Sequence, residues 1–301
     1  MFFETIPSLD CNGRALRLDR ARISGILNLT DDSFSGDGLR GDVEAAVAQG
    51  MAMVEQGADM LDVGAESTRP GATPVPAKDE IARVVPVIRA LAERVEVPIS
   101  IDTSKPEVMH AAVDAGAGFI NDVYALRRQG ALDAAAELKV PVCLMHMRGE
   151  PGTMQDDPHY DDVVGEVHRF LAERMFACEM AGIDKRRVLV DPGFGFGKTL
   201  EHNLALLRAL ERFRDLAAGV FAGLSRKAMI GAITGRAGGA ARATGSAAAA
   251  LVAVQRGAVL VRVHDVAATR DALAVWQAVH AGDAPPKRVE RPFGSQRFGD
   301  D

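Results

Sequence analysis

Short apolar runs alternate with amphipathic stretches along almost the whole chain. Eight of the runs predict strands: Ile23–Leu29, Met60–Val63, Ile99–Asp102, Gly118–Asp122, Val142–Met145, Val188–Asp191, Val220–Gly223 and Val259–Val263. Each is bounded by glycine, proline or polar residues, and most show no in–out alternation. Continuous runs of this kind are buried on both faces, as in a parallel sheet covered by helices. The stretches between them predict helices at Val43–Gln56, Asp79–Arg94, Pro106–Ala115, Ala131–Leu138, Tyr160–Ala181, Leu200–Phe213, Thr244–Arg256 and Val266–His280, with a short one over 227–234. In the first, Val43, Ala46, Val47, Met51 and Val54 recur at near-helical spacing and Gly57 offers a stop. Pro106 stands where a first helical turn needs no N–H.

Eight strand–helix units in about 255 residues predict an α/β fold, a (β/α)8 TIM barrel. A doubly wound sheet uses the same alternation with fewer strands and is the main rival. Residues 1–22 are read as a short hairpin extension packing on the barrel floor, residues 23–281 as the barrel, and residues 282–301, rich in proline and charge, as a frayed tail.

The polar residues gather at strand ends: Asn28 to Ser35, Glu66 to Gly71, Asp102 to Lys105, Asn121-Asp122, His146 to Arg148, Asp191 to Lys198, Ser225 to Lys227, and Arg262 to Asp265. In a barrel these ends share one rim, where the following loops build the active site. Helix capping accounts for a lone Asp or Ser after a strand, and Ser104 and Asp265 can be read that way. It does not account for eight clusters that also carry Lys, Arg, His and Asn. Arg69, Lys227, Arg262 and His264 suit an anion such as phosphate or pyrophosphate. Asp102, Asn121 and Asp191 combine donors and acceptors that suit the edge of a flat heterocycle. Buried carboxylates need a partner, so Asp102 and Asp191 are expected to face a cation or N–H donors. A substrate carrying both a heterocycle and a diphosphate would leave a cation on losing pyrophosphate, and nearby carboxylates would stabilise it.

Composition narrows the function classes. Hydrophobic residues are 48% and charged residues 25% of the 301, ordinary for a globular protein. Acidic residues outnumber basic ones, 41 to 35, which disfavours sequence-independent nucleic-acid binding. The longest apolar run, near 246–254, falls far short of the ~18 residues of a membrane span, and Met1–Thr5 shows no secretory signal. Three scattered cysteines, Cys11, Cys143 and Cys178, fit the reduced thiols of a cytoplasmic protein.

Seven segments carry a resemblance to a known family: Gly25–Asn28 leading to Asp32–Ser35, Glu66–Ala72, Ile101–Thr103, Ile120–Asp122, Asp191–Lys198, Gly223–Lys227 and Arg262–Asp265. With these in family order over residues 22–280, the chain resembles the dihydropteroate synthases of folate biosynthesis. The resemblance implies a homodimeric, sulfonamide-targeted transferase. It would join 4-aminobenzoate to 6-hydroxymethyl-7,8-dihydropterin diphosphate with Mg2+ present and release pyrophosphate. Asp102, Asn121, Asp191 and Lys227 would hold the pterin ring in a slot lined by Met145, Phe196 and Gly223. Asn28, Arg262 and His264 would bind the diphosphate, with Asn28 also contacting Mg2+. Thr68, Arg69 and Pro70, with Phe34, would close over the diphosphate and shape the 4-aminobenzoate pocket, which Lys227 borders and where Ser225 would meet the carboxylate at a helix start. Asp102, Lys227, Arg262 and His264 would carry a dissociative reaction, in which a pterin cation forms beside Asp102 and the aniline nitrogen attacks it. The chain departs from the family at Asp31, where proline is usual, at Gly36-Asp37-Gly38 in place of Asp-Gly-Gly, and at Gly64-Ala65 in place of Gly-Gly. Two alternatives are a pterin-binding methyltransferase on a related barrel, which would need no Arg262/His264 pair, and an inactive pterin-binding paralogue, which would have lost the loop motifs.

Other signals have plainer readings. Gly36 to Gly41 matches GxGxxG, but Thr30–Ser35 separates it from its strand, whereas a dinucleotide fingerprint follows its strand directly. The first glycine of a P-loop ending at Gly197-Lys198-Thr199 falls at Pro192, so Lys198 is expected to be solvated or helix-associated. His146 is expected to be structural, and the remaining histidines lack metal-ligand spacing. Phe196 is favoured over Phe194 for the site.

Overall fold

A computed structural model describes residues 7–29, 43–66 and 74–281. The chain opens with an antiparallel hairpin, β1 (Ser8–Cys11) and β2 (Arg14–Arg17). Its turn residues, Asn12 and Gly13, both have positive φ (56° and 81°), as a tight two-residue hairpin turn requires. Eight strand–helix units follow: β3 (Arg22–Asn28) and α1 (Val43–Gln56), β4 (Met60–Gly64) and α2 (Ala77–Ala92), β5 (Ile99–Asp102) and α3 (Pro106–Asp114), β6 (Phe119–Asp122) and α4 (Ala131–Leu138), β7 (Val142–Met145) and α5 (Val163–Met180), β8 (Val188–Asp191) and α6 (Leu200–Arg208), β9 (Gly219–Ala222) with α7 (Ala228–Thr234) and α8 (Ala243–Gln255), and β10 (Ala258–Val263) with α9 (Val266–Ala281).

Strands β3 to β10 pair in parallel in chain order, and β10 closes onto β3. The fold is therefore a TIM barrel, and closure excludes the doubly wound alternative. Two predicted helices change a limit by more than two residues. The one expected from Tyr160 starts at Val163, because Asp162 caps it by accepting from the Gly165 N–H at 3.0 Å. The one expected to run to Phe213 stops at Arg208 and gives way to a 3-10 segment, Leu210–Leu216. Among the described residues no helix is long and apolar enough to cross a membrane.

Strand phase divides the core in two. Leu61, Val63, Ile99, Ile101, Val142, Leu144, Val188 and Val190 pack outward in the layer between barrel and helices. Met60, Phe119, Cys143, Leu189, Phe221 and Leu260 instead form a second cluster, inside the floor of the barrel, and Leu9, Cys11 and Leu16 of the hairpin join it. Phe119 and Phe221 meet edge to face there, with centroids 6.4 Å apart. The hairpin thus plugs the end of the barrel opposite the strand C-termini. It comes closest at Gly118, where a Cβ would stand 2.2 Å from the Cys11 carbonyl oxygen. Gly118→Ala is expected to lift the hairpin and cost about 1–3 kcal/mol, as overpacking of a close-packed site does. An unchanged thermal midpoint would show that the hairpin yields at Gly118 without cost.

Candidate active site

Two residues beyond each floor position the inward side chain changes character. Met60 is followed by Asp62, Phe119 by Asn121, Cys143 by Met145, Leu189 by Asp191, Phe221 by Gly223 and Leu260 by Arg262. Residues i and i+2 of a strand share a face, so an apolar floor carries a polar tier above it. Asp102 and Asn28 stand at the C-terminal ends of β5 and β3. This is the mouth where barrel enzymes hold their substrates.

Arg262 spans one side of the tier. Its Nε donates to Asp62 Oδ2, and its Nη2 donates to Asp102 Oδ2 at 2.7 Å. Asn121 Nδ2 donates to the same Asp62 oxygen at 3.1 Å. Across the mouth, Asp191 Oδ1 accepts from the Gly193 N–H at 2.7 Å. Lys227 Nζ donates to the Phe194 carbonyl and lies 4.7 Å from the centre of the Phe196 ring, a cation–π distance. A Cβ at Gly223 would stand 3.7 Å from Asp191 Oδ2, 3.8 Å from Lys227 Nζ and 3.9 Å from Arg262 Cβ. The three side chains therefore converge on the space that glycine leaves open. Met145 and Phe196 belong to one apolar patch with Val123, Met147 and Met154, whereas Phe194 is fully buried in the main core.

On the rim, Ser225 Oγ accepts from the His264 main-chain N–H at 3.1 Å and lies 3.0 Å from His264 Nδ1. A hydroxyl can both donate and accept, so Ser225 bonds the His264 ring in either tautomer. Asn28 ends β3, the neighbour of β10, opposite Gly64. The structure therefore brings together Asn28, Asp102, Asn121, Met145, Asp191, Phe196, Gly223, Ser225, Lys227, Arg262 and His264. Phe34, Thr68, Arg69 and Pro70 lie outside the described residues.

Burial sets the charges of this tier against solution habit. It pushes Asp102 up to about 7; Arg262 pulls the other way, while Asp62, Glu80 and Asp122 add like charge. It also raises Asp191, which Lys227 and the Gly193 N–H oppose. Lys227 is brought down to about 8 by burial, against the attraction of Asp191. Burial opposes the Arg262 charge too, but Asp62 and Asp102 outweigh it and keep the guanidinium protonated. Carboxyl and ammonium groups poised near neutrality in a concave mouth mark functional sites.

Three residues stand differently from the sequence expectations. Asp62 was not among the candidates, because it lies within a strand and not at its end. Its signal was phase: it is the one charge in Met60–Gly64, and it falls on the face of Met60. Lys198, expected to be solvated or helix-associated, is 2% exposed. Its Nζ donates to the Gly193 and Phe196 carbonyls, both at 2.9 Å, and lies 2.9 Å from His146 Nδ1. His146 is a structural acceptor, held neutral by burial and by Lys198, which push it down to about 2. Together they pin a turn that runs through Gly193, Gly195 and Gly197 at φ of 72°, 78° and 62°, a conformation that favours glycine. A Cβ on Gly193 would lie 1.8 Å from the His146 carbonyl oxygen. Ser104 does not cap α3; it donates to Asp122 at 2.5 Å, an orienting contact at the C-terminal end of β6.

Known proteins share this arrangement of chain and fold. The family described as pterin binding enzyme matches residues 24–264. The dihydropteroate synthase of Escherichia coli strain K12 is 48% identical over 270 residues, which cover 90% of this chain and 95% of that one. The structure of Xanthomonas albilineans dihydropteroate synthase with 4-aminobenzoic acid has a TM-score of 0.87 at 62% identity and covers 92% of this chain and 99% of its own. The Xanthomonas albilineans enzyme in complex with 7,8-dihydropteroate has a TM-score of 0.82 at 58% identity, with 91% and 99% covered. With the family match running from β3 to the rim histidine, and near-complete relatives at this identity, the chain belongs to the dihydropteroate synthase family of pterin-binding enzymes.

Proposed function

We propose that the chain condenses 6-hydroxymethyl-7,8-dihydropterin diphosphate with 4-aminobenzoate to give 7,8-dihydropteroate and pyrophosphate. One observation carries the reading: carboxylates, an amide and an ammonium converge beside an apolar slot, with a guanidinium and an imidazole along the same rim. In this reading Asp102, Asn121, Asp191 and Lys227 hold the pterin edge, and Met145, Phe196 and Gly223 line its faces. Asn28, Arg262 and His264, with Thr68 and Arg69, take the diphosphate. Ser225 and Lys227, with Phe34, Thr68 and Pro70, border the 4-aminobenzoate.

The bond between the pterin methylene carbon and the diphosphate oxygen breaks first. Its electron pair leaves with pyrophosphate, which Arg262 and His264 stabilise at the rim. The carbon is left as a cation delocalised into the ring, beside the Asp102 carboxylate. The amine nitrogen of 4-aminobenzoate attacks it and loses a proton. So reactive an electrophile needs no activated serine or cysteine.

Asn28 offers one neutral oxygen, and among the described residues no three His, Cys, Asp or Glu stand together as a metal site. That donor set fits Mg2+ as a companion of the diphosphate, since Mg2+ keeps several waters and binds substrate phosphates readily. Held there, it would neutralise charge on the departing pyrophosphate.

The pH dependence follows from two groups. Asp102 works as a carboxylate and Lys227 as an ammonium. With Asp102 near 7 and Lys227 near 8, kcat/KM is expected to fall on the acid side as Asp102 gains its proton and on the basic side as Lys227 loses its own. A flat profile from about pH 6 to 9 would remove both from the reaction.

The direct test mixes purified protein with the pterin diphosphate, 4-aminobenzoate and Mg2+. Dihydropteroate and pyrophosphate are expected in equal amounts, with sulfonamides competing against 4-aminobenzoate. Pterin binding without product would point to an inactive pterin-binding protein. We also propose a homodimer, supported by the apolar face on α8 and α9, where Val252, Val275 and Val279 are 39%, 68% and 74% exposed; sedimentation velocity reports it. The three free, buried cysteines support a cytoplasmic setting.

A further inference from the structure

We infer that Asp62 is a positioning residue of this site, fixing from a buried position within the polar tier both the direction of the Asn121 amide and the placement of Arg262 against Asp102. The inference rests on the function proposed above and extends it to a residue that does not itself line the mouth.

Three observations carry it. Asp62 is fully buried, so a ligand meets Asn121 and Arg262 and not Asp62. One oxygen, Oδ2, accepts from both neighbours, the Asn121 amide and the Arg262 Nε. Turning the Asn121 NH2 group down to a carboxylate assigns the amide and leaves Oδ1 as the acceptor that Asn121 can offer a ring N–H. The third observation is that Oδ1 of Asp62 has no hydrogen-bond partner among the described residues. A buried ion pair is weak evidence for stability alone, since a whole pair can often be exchanged for apolar residues without loss. Asp102 already gives Arg262 a carboxylate, so charge balance alone does not call for a second one. What Asp62 adds is direction. It ties an amide on β6 to a guanidinium on β10, and so couples the heterocycle edge to the diphosphate rim.

Asp62 also acts on Asp102 as a like charge. The groups facing Asp102 are Arg262 from β10, Asp62 from β4, Glu80 from α2 and Asp122 from β6. Arg262 favours the carboxylate, as does the Lys227 ammonium from the start of α7, which Asp102 attracts in turn; the other three oppose it. Removing the Asp62 charge therefore makes Asp102 easier to ionise.

The experiment uses the full chain with Asp62→Asn, which keeps the volume and removes the charge. Binding of 6-hydroxymethylpterin, which lacks the diphosphate, is measured by calorimetry, and kcat/KM is followed across pH. Affinity for this pterin is expected to fall about tenfold or more, the scale of one hydrogen bond to a charged group. The acid limb of kcat/KM is expected to move to lower pH. Unchanged affinity with an unmoved acid limb would overturn the inference, even if the thermal midpoint drops. Should Asp62→Asn fail to fold, Asp62→Ser offers a neutral acceptor in less volume; wild-type pterin affinity in that variant would equally overturn it. Wild-type protein that binds 6-hydroxymethylpterin but makes no dihydropteroate would sink the proposed reaction and leave the binding arm to judge Asp62.

Discussion

Arg262→Met is expected to lose about 3–5 kcal/mol of stability, the cost of breaking a buried pair from one side, and at least ~100-fold in turnover, the scale of one strong electrostatic contact. The guanidinium bonds Asp62 through Nε and Asp102 through Nη2. Without it two buried carboxyls confront each other, and Asp102 is held still further toward its protonated form. That fixes the sign of the pH dependence. A carboxyl whose folded value lies above its ordinary 3.8 contributes stability below 3.8 and loses it as pH rises through the folded value. The stability deficit of the variant should therefore be small at low pH and grow toward neutral and basic pH. Arg262→Lys keeps a charge but not the planar fork that reaches two carboxylates at once, so it should recover more stability than turnover. Denaturant unfolding at two pH values, alongside steady-state rates, tests both halves. A deficit equal at acid and basic pH would mean that Asp102 does not depend on Arg262.

The barrel was legible because its strands are short, apolar and sharply bounded. Ile99–Asp102, Val142–Met145 and Val188–Asp191 form at their predicted limits, as does the helix Val43–Gln56. The rim was legible for a related reason: a polar residue that ends an apolar run must leave the core, and in a parallel barrel every such exit opens on the same face. Residues inside the runs were harder to read. Treating a strand as buried on both faces hides the difference between a side chain that meets helices and one that meets the lumen, and Asp62 fell into that gap. Glu80 shows the same effect on a helix. It lies on the buried face of α2 with Val84, Val87 and Leu91, where it accepts from Lys105 at 2.5 Å. A charge in phase with an apolar stripe announces a partner, yet nothing local names which one. Lys198 escaped because its burial comes from the glycine turn folding back over it, a tertiary event that Gly197 and Thr199 beside it do not disclose. The same turn separates Phe194 from Phe196. Two positions apart in one motif, the first ends in the core and the second beneath Lys227.

Lys227→Met should behave in the opposite way to Arg262→Met, because the two cations differ in what burial does to them. Arg262 is held charged by paired carboxylates, whereas Lys227 is brought down from 10.5 to about 8. A lysine whose folded value lies below its unfolded one weakens the fold as pH falls from about 10.5 toward 8, since the folded state takes up the proton less readily. Methionine at this position removes that penalty and keeps the apolar stem packed by Phe196. The thermal midpoint should therefore fall far less than in Arg262→Met. Turnover should still drop at least ~100-fold, the scale of one lost electrostatic contact. The ammonium faces Asp191 and holds the Phe194 carbonyl, and without it the Asp191 carboxylate keeps only the Gly193 N–H as a direct partner among the described residues. Burial would then favour protonation of Asp191 and weaken its hold on the pterin edge. The residual activity should also lack the basic limb near pH 8, since the group that produces it is gone. Steady-state rates across pH and a thermal melt separate these expectations. Near-normal kcat/KM, or a basic limb that survives the substitution, would remove Lys227 from the pterin site.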